Sequence, residues 1–175
     1  MPTYVAFLRA INLGRTRKFP MAELRACLQE AGYDGVATHI QTGNVLLQSR
    51  LRSRAKVESE LERVFAGATG FEVPTMVTTP AELGSTYAAV QAVGARAERR
   101  YVSFLKQEPP PAAVGLIDAW DAPGEGARVL GRAVHWWIDH PSRAAKLSNA
   151  FLERQAGPAT TRDLKVVAAL VDKWC

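Results

Sequence analysis

The sequence predicts an α+β chain made of two halves, the first ordered β-α-β-β-α-β and the second repeating most of that order. Two observations carry that prediction. Residues 4–9 read Tyr-Val-Ala-Phe-Leu-Arg and residues 101–106 read Tyr-Val-Ser-Phe-Leu-Lys, identical at four of six positions. After each copy, short apolar runs alternate with helical periodicity, and each half contains a hairpin-type turn. That order is the split βαβ, or ferredoxin-like, unit. The expectation is two ferredoxin-like half-domains from an internal duplication, the second ending in a C-terminal helix.

The first copy opens with a buried strand and a loop from Ala10 to Phe19. Pro20 suits a helix's first turn, and Met21, Leu24, Leu28 and Ala31 share one helical face. Gly32 stops that helix. Val36 to Ile40 reads as a strand, Thr42-Gly43-Asn44 as a turn, and Val45 to Leu47 as the returning strand. Val57, Leu61, Val64 and Phe65 form a second helical stripe, ended by Gly70. Phe71 to Thr78 is the expected last strand of this half.

Residues 80–95 read as an Ala-rich helical connector. The second half then repeats most of the order. Pro109-Pro110-Pro111 opens a helix to about Trp120, and 123–126 is an expected loop. Arg128–Leu130 and Val134–Ile138 make a hairpin around Gly131-Arg132. Ser148 caps a helix through Gln155 that Gly157-Pro158 terminates. Leu164, Val167, Leu170, Val171 and Trp174 then fall at helical spacing, so the chain is expected to end on a helix rather than a strand. The expected boundaries are 1–79, a connector at 80–98, and 99–175.

Composition narrows the class. The 175 residues are 47% apolar and 8% aromatic, as in an ordinary globular chain. No apolar run approaches the ~18 residues of a bilayer-spanning helix. Two cysteines, Cys27 and Cys175, make no disulfide framework. No targeting signal opens the chain, so a cytoplasmic location is expected. The net charge is +5, shared by both halves. Two acid-free runs stand out: Arg9, Arg15, Arg17 and Lys18, and then Arg50, Arg52, Arg54 and Lys56. The ordinary fate of such runs is a solvated face; the alternative is a site for phosphates or polyanions.

Known catalytic spacings are missing. There is no P-loop, no G-x-S-x-G elbow, no H-E-x-x-H and no C-x-x-C pair, so neither a metal site nor a cofactor is expected. His39 and His135 fall on hairpin strands and read as surface or partly buried residues. Glu58 and Glu62 are spaced i, i+4 on a helix and read as solvent-facing. Of the adjacent Trp136 and Trp137, one indole is expected in the core and the other nearer the surface.

One positive lead remains. Asn12-Leu13-Gly14-Arg15-Thr16-Arg17-Lys18 precedes Pro20 and a helix start. Gly14 permits a tight turn, the helix N-terminus offers free N–H groups, and three basic side chains surround them. These are the ingredients of an anion site. The turn Gln41-Thr42-Gly43-Asn44 is expected nearby.

Three stretches also carry a family resemblance. They are Tyr4 to Met21, continuing through Arg25; Thr38 to Val45; and Lys146 to Arg154 with Ala159 to Arg162. Together they resemble domain-of-unknown-function family 1697, over nearly the whole chain. The resemblance implies a duplicated ferredoxin-like architecture and no named activity. Its motif positions here are Asn12, Gly14, Lys18, Gln41, Gly43, Asn44, Lys146, Asn149 and Arg162. The chain departs from the family pattern at Arg15, Thr16 and Arg17, and at Asp163-Leu164-Lys165, where the family carries Asn-Trp-Asn. The ligand set expected is therefore Asn12, Gly14, Arg15, Arg17, Lys18, Gln41, Gly43, Asn44, Lys146, Asn149 and Arg162, with no catalytic residue assigned. The expected partner is a phosphate-bearing ligand, a nucleotide or single-stranded nucleic acid, with a homodimer as a further expectation and no membrane. The alternatives are an enzyme on a small phosphorylated or acidic metabolite, in which Lys18, His39 or Lys146 would position or protonate substrate, and an oligomerising module without ligand.

Overall fold

A computed structural model describes residues 1–175, apart from the side chain of Ser142. The described residues form six α-helices and two four-stranded antiparallel sheets. The chain divides between Leu83 and Gly84 into two compact units. No helix is long and apolar enough to cross a membrane.

The first unit runs β1 (Thr3–Leu8), α1 (Met21–Glu30), β2 (Asp34–His39), β3 (Asn44–Gln48), α2 (Arg54–Thr69) and β4 (Thr75–Thr78). Its strand order is β2-β3-β1-β4. The helix α3 (Pro80–Val93) follows. The second unit runs β5 (Arg99–Leu105), α4 (Pro111–Asp118), β6 (Glu125–Leu130), β7 (Ala133–Ile138), α5 (Asn149–Ala156), β8 (Ala159–Asp163) and α6 (Leu164–Trp174). Its order, β6-β7-β5-β8, matches the first position by position.

Alternation along each central strand sorts the side chains. In the first unit Tyr4, Ala6 and Leu8 join Leu24, Leu28, Val57, Leu61 and Phe65 in one apolar core. Val5 and Phe7, on the opposite face of β1, are also fully buried. In the second unit Leu105, Val134, Trp136 and Ile138 pack with Ile117, Leu147 and Leu152.

The echo seen in the sequence extends to hydrogen bonds. Leu8 N–H donates to the Gly43 carbonyl at 2.8 Å, and Leu105 N–H donates to that of Arg132 at 2.8 Å. Arg9 N–H reaches the Pro74 carbonyl at 2.9 Å, and Lys106 N–H that of Pro158 at 2.9 Å. The two outer strands β4 and β8 are held alike. Glu58 accepts from Val77 N–H at 2.9 Å and Glu62 from Thr75 N–H at 2.8 Å. At the matching positions Asn149 accepts from the Thr161 hydroxyl at 2.7 Å and Glu153 from Ala159 N–H at 3.0 Å. An edge strand presents unpaired amides, and helix carboxylates here take those of Thr75, Val77 and Ala159.

Several expectations change. Glu58 and Glu62 do not face solvent. Their spacing puts both on the helix face that meets β4, and Glu58 is buried. The last strand of the first unit covers only 75–78, because Pro74 has no N–H to pair and its carbonyl is taken by Arg9. The loop expected at 123–126 ends at Gly124, since Glu125 and Gly126 pair with Ile138 and Trp137. Gly126 makes room for the Trp137 indole: a Cβ would lie 2.2 Å from Trp137 Cζ2. A strand, β8, precedes the terminal helix; its five residues, Ala-Thr-Thr-Arg-Asp, show no apolar run. Ala31 is exposed beyond the end of α1. Trp136 is the buried indole, stacked on Tyr101 at 4.5 Å and donating to Ser103 Oγ at 2.9 Å, and Trp137 is half-buried.

His135 is fully buried rather than near the surface, with Nδ1 2.9 Å from the Tyr101 carbonyl. Burial lowers its pKa, outweighing that hydrogen bond, and Arg100 adds to the lowering.

Two outcomes follow. Glu58→Ala strands the Val77 amide and should cost about 1–3 kcal/mol in urea unfolding, whereas Glu58→Gln keeps an acceptor and should cost less. His135, with its folded pKa depressed, contributes stability that is complete above about pH 6.5 and is lost as pH falls from there toward the folded pKa. Denaturation curves at a neutral and a mildly acidic pH should show this loss, and His135→Leu, matching Leu46 in the first unit, should shrink it.

Candidate functional site

The two units differ most at one end of the sheet. Between β1 and α1 the chain spends twelve residues, 9–20. The matching connection between β5 and α4 takes five, 106–110. The β2–β3 turn, 40–43, is likewise longer than the two-residue turn 131–132.

Ile11 and Phe19 anchor the long loop in the core of the first unit, Phe19 edge-on to Phe65 at 5.5 Å. Residues 12–18 stand between these anchors. Asn12 closes them into a ring. Its N–H donates to the Arg17 carbonyl at 2.9 Å, and its Oδ1 accepts from Phe19 N–H at 2.8 Å. Its Nδ2 donates to the Phe19 carbonyl at 2.9 Å and to the Gln41 carbonyl at 2.8 Å. One amide side chain thus joins the loop to the β2–β3 turn.

The backbone is strained where these segments meet. Ala10, Asn12, Arg17 and Ile40 hold φ between 52° and 56°, and among the described residues no other non-glycine has positive φ. A β-branched residue such as Ile40 is an outlier there. Gly43 has φ 82°, and a Cβ on it would meet Leu8 Cβ at 2.7 Å and Ile11 Cδ1 at 2.9 Å. Asn44 is fully buried and donates to the His39 carbonyl at 2.9 Å and to the Thr42 hydroxyl at 3.2 Å.

The basic side chains divide by role. Arg17 is pinned: its Nε donates to the Ala10 carbonyl and its Nη2 to the Glu72 carbonyl, both at 2.6 Å, with the guanidinium 4.6 Å from the Phe71 ring centre. Lys18 is exposed, its ammonium 2.5 Å from the Gly14 carbonyl. Arg15 is exposed and makes no hydrogen bond or ion pair among the described residues. Gly14 and Gln41 are exposed as well. Pro20 gives α1 no side-chain cap, so its first-turn amides end at the loop; Glu23 is the single acid in that turn. The second basic run, 50–56, sits at the other end of the sheet. Thr3 pairs with Gln48 and Phe7 with Asn44, so the length of β1, about 20 Å, separates it from the loop.

The remaining expected ligands belong to the second unit; the side chains of Asn149 and Arg162 have partners, whereas that of Lys146 is exposed and only its backbone N–H is engaged. Lys146 N–H donates to Glu125, whose side chain is 2% exposed and also accepts from Leu147 N–H, His140 and the Trp120 indole. Burial would raise the Glu125 pKa; these four donors outweigh it and hold the carboxyl below its ordinary range. Asn149 ends a chain of hydrogen bonds running from Trp136 through Ser103 and Thr161. Arg162 is buried, donating to Thr160 Oγ1 at 2.8 Å, and burial lowers its pKa to about 10. Cys27 is half-buried, its thiol pushed up to about 11 chiefly by burial, which leaves it a poor nucleophile. Among the described residues no group of three or more His, Cys, Asp or Glu could hold a metal ion.

Sequence reasoning missed Ile40 and Leu13 at this end. Both are exposed, and nothing in local propensity marks an isoleucine for a left-handed turn.

The family described as "Protein of unknown function (DUF1697)" matches residues 1–135, and the chain belongs to it. Among solved structures it is similar to the conserved bacterial protein SP0830 from Streptococcus pneumoniae, with a TM-score of 0.78 and 20% identity over 99% of this chain and 98% of that one. At that identity the likeness shows the fold alone. No curated protein matches the sequence.

Gly43→Ala tests whether the turn frames the loop. The added methyl cannot fit beside Leu8 and Ile11, so unfolding should cost about 2 kcal/mol or more. Hydrogen exchange should quicken at 9–20 and 40–43 before it does in β1.

Proposed function

We propose that residues 12–18 bind a phosphate-bearing ligand, a nucleotide or single-stranded nucleic acid. The observation that carries this is the difference between the units. On one strand order, only the first unit carries the long, strained loop, and that loop presents Gly14, Arg15 and Lys18 outward. Binding residues concentrate on loops held by a rigid scaffold, and strain clusters at such places. Asn12, Arg17, Gln41, Gly43 and Asn44 serve as the frame. Arg15 and Lys18 supply the charge, and the first-turn amides of α1 face the same anion. Asn149 and Arg162 are assigned to holding the second unit together, as is the backbone N–H of Lys146, whose side chain is exposed.

We also read the two units as ferredoxin-like copies from a duplication, residues 1–79 and 99–175 joined by 80–98. The paired hydrogen bonds at Leu8 and Leu105, at Arg9 and Lys106, and at the two outer strands support that history.

Titration calorimetry tests the phosphate reading with two probes, inorganic tripolyphosphate and a labelled single-stranded oligonucleotide. Binding should weaken as salt rises from about 50 to 200 mM, and Arg15→Ala with Lys18→Ala should cost about tenfold or more. Arg17 is left in place because it ties the loop down. Absence of binding to both probes at low salt, or a double variant that binds as tightly as the parent, overturns the reading.

A further inference from the structure

We infer that the ligand at this loop is a free nucleoside phosphate whose base lies against Leu13 and Ile40. The inference rests on the phosphate reading above and narrows it.

The first observation is Ile40. The residue is 45% exposed and its φ is 52°. A β-branched residue in that conformation is disfavoured, and glycine or asparagine would relieve it. Core packing does not compensate, because nearly half of the residue lies in solvent. An apolar side chain kept at a cost and left at the surface is explained by something that covers it.

The second observation is Leu13, 59% exposed. Leu13 follows Asn12, and Ile40 precedes Gln41; the Asn12 amide donates to the Gln41 carbonyl at 2.8 Å. The two residues are thus each one position from a partner in the same hydrogen bond. Leu13 also adjoins Gly14, where the charged part of the loop begins. An apolar surface and a cationic loop thus meet within the length of a small molecule. A ligand that fits needs a flat apolar face and a phosphate joined by a short link, which is the build of a nucleotide.

The size of the charged part favours a free nucleotide over a strand. Arg15 and Lys18 are the exposed cations of the loop, while Arg17 is pinned by two backbone carbonyls. The run at 50–56 is the length of β1 away and cannot extend a track from the loop. No aromatic side chain lies within residues 9–18 or 40–44 to stack successive bases.

The test compares ATP with inorganic tripolyphosphate, which has the phosphates and no base. The parent protein should bind ATP about tenfold more tightly, as expected for covering one or two aliphatic side chains. Leu13→Ser and Ile40→Gly should each reduce that preference and leave tripolyphosphate affinity unchanged. Ile40→Gly removes the side chain from the strained position, so its Tm should not fall, which separates lost contact from lost folding. Equal affinities for ATP and tripolyphosphate, or variants that keep the parent's preference, overturn the base contact and leave the phosphate reading standing. A single-stranded oligonucleotide that binds more tightly than ATP, with a steep salt dependence, overturns the free-nucleotide assignment. Failure of all the probes to bind overturns both readings.

Discussion

The fold depends on satisfying the amides of its outer strands. A four-stranded antiparallel sheet has two edges, and each edge exposes N–H groups that cost free energy if buried without a partner. In the first unit the carboxylates of Glu58 and Glu62 take the outward amides of β4. In the second, Glu153 takes the Ala159 amide, and Asn149 holds the Thr161 hydroxyl. The helix that covers the sheet thereby also fixes where the sheet stops. Within β2, Gly35 at φ 60° accompanies a break in register, which bends that edge away from regular pairing. On β6, Asp118 accepts from Val129 N–H at 2.7 Å.

With the edges closed in this way, the ends of the strands are where the units can diverge. In the second unit the two matching connections, 106–110 and 131–132, are short. In the first, the longer loop and turn hold every positive-φ non-glycine found among the described residues. Asn12 makes that arrangement stable by replacing the missing regular hydrogen bonds with four of its own. Arg17 then ties the ring to the segment before β4. The result is a hydrogen-bonded ring with Leu13, Gly14, Arg15 and Lys18 exposed, beside a turn with Ile40 exposed.

Local patterning made most elements legible. The helices showed as apolar stripes at 3.6-residue spacing, and the hairpins as alternation around turn residues. The boundaries that moved did so for nonlocal reasons. Phe71 to Pro74 has strand-like composition, yet Pro74 cannot donate and its carbonyl belongs to Arg9. Gly126 looked like loop chemistry, yet it is the small residue that lets Trp137 lie across β6. Glu58 and Glu62 looked like a charged outer face because their partners, Thr75 and Val77, are more than ten residues away. For the candidate site, the residue types of the loop were visible in sequence, but the division of labour among them was not. Arg15, Arg17 and Lys18 differ little as letters, and only the carbonyls of Ala10 and Glu72 distinguish the middle one.

The sequence by itself determined the family, the repetition of one opening and every element but β8, because each is written in local periodicity and in matching residues, which Ala-Thr-Thr-Arg-Asp lacks. Tertiary structure alone decided which charges are buried, which loop is strained and which apolar side chains stay in solvent. Those properties arise from contacts between segments distant in the chain. The Asn12 amide reaching Gln41, the methyl-free space at Gly43 and the exposed side chain of Ile40 have no signature in the residues beside them.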